Sequence, residues 1–110
     1  MLPAVAWGKP HDATGKDRRA MCAAAKPPGT SVKCASAAIS GVDPRWGRTV
    51  HSYRGGGSGG KQTRVGWVRR PRKGSHQWTL KWAVESGGRL PCSRVPKRVL
   101  REFYGAGECR

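Results

Sequence analysis

His76-Gln77-Trp78-Thr79-Leu80-Lys81-Trp82-Ala83-Val84 alternates strictly, with Trp78, Leu80, Trp82 and Val84 on one side and Gln77, Thr79, Lys81 and Ala83 on the other. A period of two is the mark of a β-strand with one buried face. Upstream, Val65 and Trp67 share a face opposite Arg64 and Gly66. Between the two runs lies Arg70-Pro71-Arg72-Lys73-Gly74, with proline and glycine placed to turn the chain. An antiparallel hairpin follows. A third short strand, Thr49 to Tyr53, leads into Gly55-Gly56-Gly57-Ser58-Gly59-Gly60.

Downstream the period changes. Val95, Val99, Leu100 and Phe103 form one stripe of a helix, with Lys97, Arg98 and Arg101 on the opposite side and Gly105 as a stop. Upstream, the chain to Asp43-Pro44 is rich in Pro, Gly and Ala and poor in large apolar residues, so it buries too little surface to offset chain entropy. Only Lys16 to Ala25 tolerates a short helical turn there. The expected fold class is α+β: a small antiparallel sheet of about three strands (residues 48–54, 63–69 and 76–84), a C-terminal helix (95–104) and a largely irregular N-terminal arm. In domain terms, residues 1–44 form a flexible basic arm and 45–110 a small basic domain with a glycine-rich hinge at 55–60. The free chain is expected to be marginally stable or partly disordered, and to order on its partner.

Charge bounds the function. The 110 residues carry 22 Lys plus Arg against six acids (Asp12, Asp17, Asp43, Glu85, Glu102 and Glu108), a net charge of +16. Self-repulsion at that density opposes compaction, and a polyanion relieves it while releasing condensed counterions. Between Pro44 and Val84 there are ten cations and no acid: Arg45, Arg48, Arg54, Lys61, Arg64, Arg69, Arg70, Arg72, Lys73 and Lys81. With Lys97, Arg98 and Arg101 these are the expected nucleic-acid-binding residues. Arg69 to Lys73, at the hairpin tip, suits reaching into a groove of folded RNA. Trp7 and Trp46, in expected loops, are the better candidates for stacking on bases, whereas Trp67, Trp78 and Trp82 read as core.

Sharper chemistry finds little support. Cys22, Cys34, Cys92 and Cys109 include no Cys-x-x-Cys pair, and His11, His51 and His76 are scattered, so no metal site or cofactor is expected. Met1 to Gly8 lacks the basic region of a secretory signal, so reduced thiols and an intracellular location, in cytoplasm or an organelle matrix, are expected. No run suffices for a membrane helix. Gly55 to Lys61 matches most of a phosphate-binding P-loop, but Gln62 stands where a magnesium-binding hydroxyl belongs and strand follows instead of helix. The acids are isolated in sequence and no Cys/His pairing is selected by spacing, so an enzyme is not expected.

The function expected is RNA binding, as a structural component of a ribonucleoprotein particle such as a ribosome, with RNA favoured over DNA as partner and other proteins of the particle as further contacts. The alternatives are a DNA-binding basic protein, a cationic membrane-active polypeptide, and the product of a reading frame under no selection, with no specific activity.

Overall fold

The computed structural model of the protein describes residues 9–54, 60–85 and 88–105. Five strands form one antiparallel sheet in chain order: β1 (His11–Asp12), β2 (Thr30–Ile39), β3 (Trp46–Arg54), β4 (Lys61–Arg69) and β5 (Thr79–Glu85). One face is covered by α1 (Gly15–Ala24), the other by α2 (Lys97–Tyr104) together with Leu90, Cys92 and Val95. The expectation of about three strands and a single helix is therefore corrected to five strands and two helices.

The error lies upstream of Pro44. The segment read as an irregular arm contributes β1, α1 and β2 to the same sheet, β2 running the full length of β3 from Thr30↔Arg54 to Ile39↔Gly47. Small residues make this possible. Met21 and Ala25 of the α1 segment pack with Ala37 and Ile39 of β2, and the sheet presents Gly47 and Gly66 beneath them. A β-carbon on Gly66 would stand 2.7 Å from Thr49 Oγ1 and 2.8 Å from Ala25 Cβ, and one on Gly47 would run into the Met21 methyl group. The helix thus lies closer to the strands than larger side chains would permit. Its burial comes from a tight fit of small groups.

The strands expected downstream are present with shifted bounds, and the alternation from His76 to Val84 has a different meaning. Trp67 pairs with Trp82 and Val68 with Leu80, so Lys81 is an extra residue in β5, a β-bulge. It reverses the side-chain order. Trp78 and Leu80 face the α1 layer, Trp82 the α2 layer. Strict alternation in sequence thus serves two buried faces. The strand begins at Thr79, because Trp78 and His76 turn their ring nitrogens to Asp17 of α1, at 3.1 and 2.8 Å.

On the second face α2 realises the expected stripe. Val99 and Leu100 are buried against Trp46 and Trp67, and Phe103 meets the Trp67 ring edge-on with centroids 5.3 Å apart. Such a pair adds about 0.5–1.5 kcal/mol to the area that it buries. The helix begins at Lys97, two residues later than expected, after Pro96.

The expectation of reduced thiols is also corrected. Cys22 of α1 and Cys34 of β2 form a disulfide that spans a sequence separation of 12, and among the described residues no cysteine is a free thiol. The hinge expected at 55–60 lies, apart from Gly60, outside the described residues, as does Trp7. Among the described residues no helix is long and apolar enough to cross a membrane.

Candidate nucleic-acid interface

Four of the acids, Asp17, Asp43, Glu85 and Glu102, are drawn into the fold at junctions between elements, whereas Asp12 is exposed. Asp17 lies between α1 and the β4–β5 connection. It accepts hydrogen bonds from Trp78 Nε1 and His76 Nδ1, and Arg70 Nη1 stands 3.4 Å away. Burial alone would raise its pKa, but these donors and the Arg70 charge outweigh burial and hold it below the usual carboxylate range.

Asp43, in the turn between β2 and β3, takes Arg45 through Nε and Nη2 at 3.0 Å each and Arg98 of α2 at 2.9 Å. The hydrogen bonds from Arg45 outweigh desolvation and lower its pKa to about 2. Glu102 of α2 fastens the same turn, accepting from Ser40 Oγ and from the backbone N–H groups of Gly41 (2.7 Å) and Val42 (3.1 Å). Glu85 ends β5 between Tyr53 Oη and Arg64 Nε, the latter at 2.8 Å; the Tyr53 hydrogen bond is the main reason that its pKa is lowered.

These junctions divide the expected interface residues. Arg70 is withdrawn from the surface. It is 4% exposed, donates through Nε to the Pro44 carbonyl (2.8 Å) and through Nη1 to that of Ser75 (3.0 Å), and lies over the Trp78 ring. A hairpin tip acting as one unit of four cations therefore loses a member: Arg72 and Lys73 are exposed, whereas Arg69 lies 6.0 Å from the Trp46 ring centroid. Arg45, Arg64 and Arg98 have acidic partners. Arg48 sits over Phe103 at 4.6 Å, where it caps the aromatic layer under α2.

Of the others, Lys61, Arg72, Lys73, Lys81, Lys97 and Arg101 are exposed, and their side chains have no hydrogen bond or ion pair among the described residues. Arg54 is exposed and lies directly opposite Lys61 across β3 and β4. Lys16 and Arg19 of α1, Lys26 and Lys33 are equally exposed, and sequence reasoning passed over them because they lie in the segment read as an irregular arm. An alternating pattern through β2 was the missing signal. Two bulges, between Thr30 and Lys33 and between Cys34 and Ser36, erase it.

The described tryptophans are packed inward. Trp46, Trp67 and Trp78 are buried, and Trp82 is half-buried with Arg94 over its ring at 4.6 Å. The expectation of Trp46 as a stacking platform is corrected, since it belongs to the core beneath α2. Among the described residues no group of three or more His, Cys, Asp or Glu side chains is placed to hold a metal ion. No family model, curated protein or solved structure matches this chain.

Proposed function

We propose that the protein binds structured RNA through its phosphate backbone, as a structural component of a ribonucleoprotein particle such as a ribosome. The carrying observation is the disposition of charge. Asp17, Asp43, Glu85 and Glu102 are each held in internal hydrogen bonds, so they do not screen the exposed lysines and arginines of β4, β5, α1 and α2. An external polyanion is the natural compensation, and counterion release drives its binding. RNA with paired regions is favoured over unpaired strands because the described tryptophans are packed inward and offer no stacking platform. A DNA-reading helix finds no support either: α2 has eight residues and buries Val99 and Leu100 against the sheet. The disulfide removes the reduced thiols that supported an intracellular location.

The test is a salt series with a structured RNA, a single-stranded RNA and a DNA duplex. Structured RNA is expected to bind most tightly, with log K falling linearly against log salt at a slope of about −0.9 per phosphate contacted. A flat salt response overturns polyanion binding. Equal affinity for all three nucleic acids at every salt concentration removes the RNA preference.

A further inference from the structure

The face of the sheet that carries α2 is not covered along its whole length. Trp46, Trp67 and Val65 lie beneath the helix layer, while the strand ends near the β3–β4 connection carry polar side chains. Across those ends Lys33 pairs with Ser52 and Arg54 with Lys61, so that the four share one face. They line a cleft of about 300 Å³ together with Ser31 and Tyr53.

The backbone there is itself unusual. Ser31 has φ 53°, the only positive φ at a non-glycine position among the described residues, and it sits in the bulge that offsets β2 from β3. A left-handed serine costs on the order of 1 kcal/mol and persists where its surroundings impose it, often at binding sites. Glu85 does not line the cleft and is engaged by Tyr53 and Arg64. Lys33 and Lys61 have no partner among the described residues. Cations converging with hydroxyl donors on a shallow cleft match a tetrahedral oxyanion that needs charge and several hydrogen bonds at once.

We infer that Lys33, Arg54 and Lys61, with the hydroxyls of Ser31 and Ser52, form a binding site for phosphodiester groups of an RNA backbone. The inference rests on the RNA-binding reading and gives it a location. The site reads backbone and not base: it holds ammonium, guanidinium and hydroxyl donors and no exposed ring, since Tyr53 is buried with its hydroxyl committed to Glu85.

The experiment compares the intact, disulfide-bonded chain with K33A/K61A, with Ser52→Ala, and with R72A/K73A as a control carrying the same charge change at another exposed place. All three are expected to keep the wild-type far-ultraviolet spectrum. On structured RNA, K33A/K61A should lose on the order of tenfold in affinity and reduce the salt slope by about two. Ser52→Ala should weaken binding with the slope unchanged, and R72A/K73A should act less than K33A/K61A. Equal effects of the two double variants overturn the site and leave only generic attraction. Titration of the wild type with inorganic phosphate, followed by amide chemical shifts, is the independent arm, with shifts expected at Lys33, Ser52 and Lys61. If those amides shift while structured RNA fails to bind, the cleft stands as a phosphate site and the RNA reading falls. If RNA binds and neither K33A/K61A nor phosphate affects these positions, the RNA reading stands and the cleft falls. Tighter binding of the DNA duplex than of RNA through the same residues overturns the choice of RNA.

Discussion

Beneath α1 the sheet sets Ala37, Gly47 and Gly66 beside Ile39, Val68, Leu80 and Trp78, and the helix is fastened at particular points: the Cys22–Cys34 disulfide, the Asp17 junction with Arg70, Trp78 and His76, and the His51 ring bonded to the Cys22 carbonyl. Beneath α2 it meets Trp46, Trp67, Trp82 and Phe103, with apolar area as the main fastening and Glu102 as a clasp at one end. Small groups give close approach but little transfer free energy, since stabilisation scales with apolar area removed from water. Where Ala37, Gly47 and Gly66 meet α1, the covalent and ionic links add fastening that apolar area there does not supply. The α1 face should therefore respond to redox state and pH, and the α2 face to truncation of its rings.

The largest expected effect tests the aromatic face. Trp67 is 0% exposed, and Trp67→Ala should cost about 3–5 kcal/mol, visible as a collapse of the urea midpoint. A loss below about 1 kcal/mol would mean that the α1 links alone hold the sheet, and the comparison would fail. An intermediate effect tests the covalent link. For a closed loop of this size, replacing both Cys22 and Cys34 by serine should cost about 3 kcal/mol. Hydrogen exchange should then show α1 losing protection before Val99 and Leu100 do. Simultaneous loss on both faces would show that the two layers are one cooperative unit.

The smallest expected effect is a pH dependence. His51 is buried at the β2–β3 pairing, and its Nε2–H donates to the Cys22 carbonyl at 3.1 Å, which leaves Nδ1 deprotonated and without a partner. Burial, aided by the charges of Arg64 and Lys26, outweighs the Cys22 bond and holds its pKa below 6.5. In that window the unfolded chain takes up a proton that the folded one refuses. Stability conferred by the neutral ring is complete above pH 6.5 and declines as the pH falls, by at most about 1.4 kcal/mol per unit. His51→Gln should flatten the profile as the pH falls below 6.5. An unaltered slope would assign it to another group.

Large apolar residues made the downstream elements legible: Val50, Tyr53, Val65, Trp67, Leu80 and the stripe from Val95 to Phe103 all announce their period. Elements whose burial depends on being small did not announce themselves. Ala37, Gly47 and Gly66 are buried because α1 presses on them, a tertiary fact that strand preferences cannot express. The two-faced use of β5 was hidden for another reason: a bulge is a mismatch between two strands, and a single strand carries no trace of its partner. For the interface, composition gave the charge but not its distribution. Arg70 looks like Arg69 and Arg72 in sequence, and only its tertiary partners, the Pro44 and Ser75 carbonyls, the Trp78 ring and Asp17 53 positions away, set it apart.

The bulge at Lys81 also bears on association between copies. β5 is the last strand of the sheet, where a regular row of N–H and C=O groups would invite a second chain to add on. The extra residue interrupts that row partway along, and its exposed ammonium group confronts any incoming strand with a charge to desolvate. The same irregularity that sends Trp82 to one layer and Trp78 to the other thus works against edge-to-edge growth of the sheet, so that copies brought to high local density can remain separate folded units.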